Sequence, residues 1–220
     1  MTTFLLLRHA LSTANESGIL AGRMEGISLS RDGRRQSQQL VSILSAVKID
    51  RIISSPLTRC LETIGPTAEI LRKRININEN FQEMHYGTWS GRKLSELRRE
   101  KSWKQIQNSP DTFTFPGGES FKQAQLRIER ELKRLSQKYP KETIVIVTHG
   151  DVIKLAITLT ANTQLNYFQR YIVDTCSLTE IQWKGGDRSL VRSNTPLVSL
   201  GTARKRSMKI RKVLGGGAGA

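Results

Sequence analysis

The chain has 220 residues, which is enough for one domain with a sizeable core and short for two. Hydrophobic residues make up 37%, a share typical of soluble globular proteins, and no apolar run approaches the roughly 20 residues of a membrane span. The short apolar start ends at Arg8-His9 and lacks the basic leader of a signal peptide, so we expect a cytoplasmic protein without a membrane partner. The net charge of +16 fits either a basic surface for nucleic acid or a basic pocket for anionic ligands.

Two cysteines, Cys60 and Cys176, lie far apart in the sequence and are expected to be free thiols. No cysteine or histidine cluster has the spacing of metal ligands, so we expect no metal and no cofactor. The residues after Gly201 are first basic and then rich in glycine. We therefore predict a domain over residues 1–200 and a disordered tail over 201–220.

Apolar runs and helical periodicity alternate along the chain. Continuous apolar residues predict buried strands at 3–7, 51–54 and 143–148 and a weaker strand at 75–77. Capping residues and apolar residues spaced by three and four predict helices at 30–47, 56–72, 93–106, 120–135 and 150–160. The glycine-containing segment 8–29 is predicted to be a loop, and residues 167–192 to be extended with a hairpin turn at Gly185-Gly186-Asp187.

Strands that alternate with helices predict an α/β fold, here a three-layer α/β/α sandwich around a mostly parallel central sheet. In such sheets, ligands bind beyond the carboxyl ends of the strands. Polar residues follow three of the predicted strands: Arg8-His9 after the first, Ser54-Ser55 after the second, and His149 after 143–148. The sequence thus predicts one polar site at this edge of the sheet.

Four residues of the predicted edge suit phosphate chemistry. An imidazole that directly follows a buried strand, as His9 does, is held rigidly in the way a nucleophile requires. The guanidinium groups of Arg8 and Arg59 can pair with phosphate oxygens. Glu83 lies in an aromatic loop, where partial desolvation would raise its pKa and suit it to be a general acid. Taken singly, each of these residues also fits an ordinary structural role.

Further residues are candidates for binding the ligand. Ser12 and Asn15 can orient or donate hydrogen bonds, and Gly150 after His149 would let a ligand approach the backbone closely. At the pocket entrance we expect Arg23, Tyr86 and Trp89, and we rank His85 below Glu83 as the acid. For none of these candidates does the spacing in the sequence alone decide the role.

The order of five motifs resembles the histidine phosphatase superfamily, in its phosphoglycerate mutase-like branch 1. The resemblance covers residues 3–192, and within the superfamily the segments 20–23 and 115–120 are most similar to an actinobacterial group of phosphomutases. The motifs are Arg8-His9, Ser55-Pro56-x-x-Arg59, Glu83-x-x-Tyr86-Gly87-x-Trp89-x-Gly91, Pro116-Gly117-Gly118-Glu119-Ser120 and Thr148-His149-Gly150.

This resemblance implies a phosphoglycerate mutase-like fold and assigns the roles. His9 would attack phosphorus, and Glu83 would protonate the leaving group and then activate water. Arg8, Arg59 and His149 would bind the phosphoryl oxygens, with Asn15 and Ser12 assisting, in place of a metal. The family usually has glycine after Arg-His, whereas this chain has Ala10. A methyl group there would intrude if φ were positive or if the residue lay against the phosphate.

The resemblance leaves three functions to compare. Mutase members carry a long insertion between the acid and the second histidine, and this chain has little room for one, so we favour hydrolysis by a metal-independent phosphatase. A cofactor-dependent phosphomutase is the first alternative, and a non-catalytic protein that binds phospho-ligands or nucleic acid is the second. No nucleic-acid motif occurs, so we expect a small phosphorylated metabolite as the partner. A homo-oligomer is compatible with the sequence.

Overall fold

One six-stranded sheet organises the computed structural model, which describes residues 1–197. The predicted tail at 201–220 lies outside the described residues. The strands are β1 (Thr2–Arg8), β2 (Arg51–Ser54), β3 (Ile75–Ile77), β4 (Thr143–Thr148), β5 (Ser177–Lys184) and β6 (Asp187–Pro196). Their order in the sheet is β3-β2-β4-β1-β5-β6, with β1 to β4 parallel and β5 antiparallel to both neighbours. The prediction of a mostly parallel α/β sheet is confirmed.

Seven α-helices connect and flank these strands within residues 1–197. They are α1 (Thr13–Glu16), α2 (Arg31–Ser45), α3 (Thr58–Ile70), α4 (Leu94–Leu97), α5 (Lys101–Asn108), α6 (Phe121–Lys138) and α7 (Gly150–Thr160). Short 3₁₀ turns lie at Glu79–Phe81, Gly87–Trp89, Pro110–Thr112 and Leu165–Arg170. In this described part of the chain, no helix is long and apolar enough to cross a membrane.

Alternating side chains of the central strands build a separate core on each face of the sheet. From β1, Leu5 and Leu7 join a cluster with residues of α2 and α3, whereas Phe4 and Leu6 join a larger cluster with residues of α6 and α7. This division follows from the two-residue period of a strand, and a strand buried on both faces must be apolar throughout. The helices therefore cover both faces of the sheet, which is the predicted three-layer sandwich.

The prediction of one continuous helix at 93–106 is wrong, because this segment forms two separate helices, α4 and α5. A continuous helix would place Trp103 and Ile106 on the side opposite Leu94 and Leu97, with lysines continuing the apolar stripe. Breaking the chain at 98–100 lets Leu97 and Ile106 both be fully buried. The short helix α1 was also missed, within a segment predicted to be a loop.

The register of the sheet brings the ends of β1 and β4 side by side. Arg8 is paired with Thr148, and the His9 amide donates to the Thr148 carbonyl over 3.0 Å. On the other side of β4, Ser54 is paired with Val147. Three chain segments that are distant in sequence therefore end at the same edge of the sheet, as the sequence predicted.

The hairpin and the two cysteines also follow the predictions. Gly185 and Gly186 join β5 to β6, and Gly185 has a φ of +59°, which suits a two-residue hairpin turn. Cys60 and Cys176 are buried free thiols. Burial raises the pKa of the Cys60 thiol to about 12, so the thiol stays protonated near neutral pH.

Helix α2 offers a test of the capping that starts it. The Ser30 hydroxyl accepts a hydrogen bond from the Gly33 amide over 3.2 Å, and Ser30 is buried. We expect Ser30→Ala to lower the free energy of unfolding by about 1 kcal/mol, because a buried amide loses its acceptor. Urea denaturation would measure this change, with the exposed Ser42→Ala of the same helix as the matched control. Equal stability of the two variants would contradict the capping role.

Candidate active site

His9 is almost fully buried, directly after β1, and its ring is fixed by its own neighbour. The Nδ1 atom lies 2.7 Å from the Ala10 carbonyl oxygen. A carbonyl only accepts, so Nδ1 carries the proton and Nε2 presents its lone pair. Burial, and secondarily the positive charges of Arg59 and Arg8, hold the pKa of His9 well below its usual value. The imidazole is therefore neutral at pH 7, in the state that a nucleophile requires.

Ala10 meets neither condition under which its methyl group would intrude. Its φ is not positive, and the residue is fully buried in the core cluster on the α2–α3 face of the sheet. The Ala10 amide donates to the Thr63 hydroxyl of α3 over 2.9 Å. The methyl group thus adds to the core, and Ala10 does not line the cavity described below.

Arg59, in the first turn of α3, is held from two sides. Its Nη2 donates to the Gly22 carbonyl over 2.7 Å and to Nδ1 of His149 over 3.2 Å. Its Nη1 is buried and has no hydrogen-bond partner within the described residues. A buried donor that lacks a partner costs free energy, and more so when it carries charge. Arg59 therefore has one nitrogen that an anionic oxygen would satisfy.

The Gly22 carbonyl can reach Arg59 because of the backbone conformation of Gly22. Its φ is +52°, and a Cβ there would come within 2.8 Å of the Ser90 hydroxyl and 3.0 Å of the Tyr86 ring. Only glycine adopts this turn readily and also fits beside those side chains. This turn couples the loop after α1 to the loop that carries the candidate acid.

Arg8, the last residue of β1, is also buried. Its Nη1 donates to the Val173 carbonyl over 2.6 Å. Burial lowers the pKa of Arg8, while the carboxylates of Glu83, Asp151 and Asp174 oppose that change. A guanidinium keeps its charge even so. The site therefore contains two fixed positive charges from Arg8 and Arg59.

His149 lies beside the candidate nucleophile, with its ring centroid 5.3 Å from that of His9. Arg59 can only donate, so Nδ1 of His149 accepts, and Nε2 carries the proton towards the Ser55 hydroxyl at 2.8 Å. Burial and the charge of Arg59 hold the pKa of His149 well below its usual value. Both ring nitrogens are thus engaged. Neither His149 nor Gly150, the first residue of α7, lines the cavity.

Glu83 lies in the loop after β3 and is buried. One carboxyl oxygen accepts the Met84 amide over 3.0 Å. Burial raises the pKa of Glu83 to about 7, and the negative charge of Asp151 adds to the rise. The Met84 amide and the two arginines act in the opposite direction. Near neutral pH the carboxyl group can therefore both donate and accept a proton.

Sequence reasoning missed Asp151, which lies in the first turn of α7 and is fully buried. It accepts the Tyr86 hydroxyl over 2.7 Å and lies 3.5 Å from the Lys154 ammonium, also buried. A signal was available, since Asp151 follows the Thr148-His149-Gly150 motif at the carboxyl end of a strand. Its spacing of three from Lys154 on one helix face indicates a buried ion pair.

A cavity of about 30 Å³ opens at this edge of the sheet. Leu20 and Leu94 form part of its apolar wall. The sequence-predicted residues that line it are Arg8, His9, Ser12, Asn15, Arg59, Glu83 and Tyr86. Ser12 and Asn15 also bond to each other in the capping box of α1, which places both side chains beside the cavity.

The other residues expected at the entrance lie elsewhere. Arg23 does not line the cavity, because its guanidinium donates to the Glu83 carbonyl over 2.9 Å and to Glu119 over 3.1 Å. Trp89 is buried and stacks on Trp103 in the aromatic core. His85 is exposed and outside the cavity. Among residues 1–197, no group of three or more His, Cys, Asp or Glu side chains could hold a metal ion.

Known proteins are similar to this chain over most of their length. Phosphoserine phosphatase 1 from Hydrogenobacter thermophilus is 26% identical over 196 residues, covering 88% of this chain and 92% of that protein. The structure of Bacillus stearothermophilus YhfR has a TM-score of 0.83 at 26% identity, covering 90% and 98% of the two chains. A variant of the Entamoeba histolytica phosphoserine phosphatase in complex with phosphoserine has a TM-score of 0.79 at 25% identity, covering 88% and 97%.

Comparison with a family model agrees with these pairwise similarities. The profile described as histidine phosphatase superfamily (branch 1) matches residues 4–196. That range contains every residue of the cavity and all six strands except the first two residues of β1. The resemblance inferred from the motifs is confirmed, and the chain belongs to the histidine phosphatase superfamily, branch 1.

Proposed function

We propose that this protein is a phosphoric monoester hydrolase that forms a phosphohistidine on Nε2 of His9. The observation that carries the proposal is the buried Nη1 of Arg59, which has no partner within the described residues, beside a neutral imidazole. A phosphoryl oxygen would supply the missing acceptor. The relatives named as phosphoserine phosphatases support the same reaction class.

The first step transfers the phosphoryl group to the protein. The lone pair of His9 Nε2 forms a bond to phosphorus while the bond from phosphorus to the ester oxygen breaks. Arg8 and Arg59 stabilise the charge on the equatorial oxygens, and the Glu83 carboxyl gives its proton to the leaving alkoxide. The Nδ1–H of His9, bonded to the Ala10 carbonyl, remains in place, so the ring keeps its orientation.

The second step returns the protein to its starting state. The Glu83 carboxylate takes a proton from water as the water oxygen attacks phosphorus, and the bond from Nε2 to phosphorus breaks. The net reaction consumes one water and releases an alcohol and inorganic phosphate. A pKa of about 7 for Glu83 lets one group serve as acid and then as base.

The positive charge of the two arginines removes the need for a metal in this mechanism. A phosphate monoester carries about −1.5 to −2 charge at pH 7, comparable to the two charges of Arg8 and Arg59. We further propose that the substrate is a small phosphorylated metabolite, in keeping with the phosphoserine named for the relatives.

Replacing the nucleophile tests the covalent step. We expect His9→Ala to fold normally but to lose at least ~10³-fold in hydrolysis of an aryl phosphate, since a nucleophile that forms a covalent intermediate cannot be bypassed. Quenching in alkaline SDS, in which phosphohistidine is stable, should trap label from a ³²P-labelled substrate on the native protein and not on the variant. The exposed His85→Ala is the control that keeps both. Full turnover by His9→Ala would exclude the mechanism.

The protonation state of Glu83 predicts the pH dependence. Its raised pKa means that the acid form is present below about pH 7 and is lost above it. We therefore expect kcat/KM for phenyl phosphate to fall as pH rises through about 7, since this parameter reports phosphoryl transfer to His9. In Glu83→Gln this limb should be absent and the rate low. A native profile that stays flat from pH 6 to 8 would contradict the assignment.

Metal independence has its own measurement. Treatment with EDTA, followed by assay in metal-free buffer, should leave kcat/KM unchanged because the arginines supply the positive charge. Added Mg²⁺ or Zn²⁺ should not raise it. A loss of more than about tenfold that metal restores would show that a metal takes part in transition-state stabilisation.

A further inference from the structure

Three charged residues outside the cavity converge on the loop that carries Glu83. One carboxyl oxygen of Glu119, Oε1, accepts from Arg127 over 2.8 Å, from the His85 amide over 2.9 Å and from Arg23 over 3.1 Å. These donors come from α6, from the loop itself and from the loop after α1. Glu119 is thus the single acceptor that joins three separate parts of the chain.

The two arginines also bind the backbone before and at the acid. Arg23 donates to the carbonyl of Glu83 over 2.9 Å. Arg127 donates to the carbonyls of Asn80 and Gln82 over 2.5 Å and 3.1 Å. The peptide groups at 80, 82, 83 and 85 are therefore all held by this cluster. The cluster does not touch the cavity, because none of its three side chains lines it.

The backbone around Glu119 is packed against the same loop. The Glu119 amide donates to the His85 carbonyl over 2.9 Å. A Cβ on Gly118 would come within 2.1 Å of that carbonyl, and one on Gly87 within 2.0 Å of the Pro116 carbonyl. Two glycines thus allow segments 116–119 and 85–88 to touch backbone to backbone. Glu119 is held close enough to take part in fixing the loop.

We propose that Glu119, acting through Arg23 and Arg127, is a positioning residue for the general acid Glu83. The inference rests on the proposed function of Glu83. The cluster fixes the backbone on both sides of an acid whose carboxyl group is itself held by the Met84 amide. Proton transfer requires heavy atoms within hydrogen-bond reach, so a small displacement of the loop weakens it. Arg23, expected at the pocket entrance, takes part in this support.

A positioning role predicts that the loss of rate depends on the leaving group. A strongly basic leaving group such as phenolate needs the proton from Glu83, whereas the weakly basic 2,4-dinitrophenolate leaves without it. A displaced acid should therefore slow transfer from phenyl phosphate much more than transfer from 2,4-dinitrophenyl phosphate. A general loss of folded protein would lower both rates by the same factor.

The experiment measures kcat/KM of Glu119→Ala and Glu119→Gln with both substrates. We expect Glu119→Ala to lose at least ~10-fold on phenyl phosphate, part of the 10²–10⁴-fold that a general acid contributes, and less than ~3-fold on 2,4-dinitrophenyl phosphate. Glu119→Gln keeps an acceptor oxygen and should fall between native protein and Glu119→Ala. It also carries the test should the alanine variant not fold. Glu129→Ala, which removes an ion pair between α6 and Arg188 of β6, is the matched control.

A double-mutant cycle separates positioning from general damage. On a Glu83→Gln background the acid is already absent, so adding Glu119→Gln should leave the ratio of the two rates unchanged. Equal loss on both substrates, or an additive effect in the cycle, would overturn the positioning role. Neither outcome would contradict the proposed phosphohistidine intermediate. Failure of the proposed function appears instead as a His9→Ala variant that turns over both substrates.

Discussion

Two guanidinium groups, those of Arg8 and Arg59, are kept in the interior at the carboxyl end of the sheet. Removing such ions from water costs several kcal/mol each even after the protein relaxes. Hydrogen bonds to the backbone carbonyls of Val173 and Gly22 offset part of that cost. The negative charges of nearby carboxylates offset a further part for Arg8. The surrounding loops must present those carbonyls inward. The loop backbone at Gly22 and Val173 therefore serves to solvate the two charges.

Burial and the same positive charges together determine which protonation states of the neighbouring groups are stable. Burial, with the charge of Arg59 added to it, holds the pKa of His9 and His149 so low that neither gains a proton near pH 7. The carboxyl group of Glu83 responds differently, because burial and Asp151 favour its neutral form while the arginines favour its ion. These opposing influences leave the pKa of Glu83 at about 7. One electrostatic environment thus holds the neutral imidazole of His9 beside a carboxyl group that can lose its proton near pH 7.

The sequence predicted the strands and most of the cavity because both depend on local patterns. Apolar runs define buried strands, and parallel strands bring their ends together, so His9 could be placed at the edge of the sheet. The roles of His9, Arg59 and Glu83 followed from the resemblance to the family. Local patterns could not predict which side chains pair with each other over long distances in sequence. The use of Arg23 depends on Glu119, which lies 96 residues away in sequence. The break between α4 and α5 depends on which face Ile106 must bury, and that is a property of the packed core.

The place of β4 in the sheet has a consequence for how the protein is made. β4 lies between β1 and β2, which do not pair with each other. Until residues 143–148 leave the ribosome, the two earlier strands have no neighbour that joins them, and the His9 amide lacks the Thr148 carbonyl. Long-range parallel pairing of this kind forms late. A nascent or prematurely terminated chain therefore holds His9 and no assembled site, so the site forms only after the central strand is inserted.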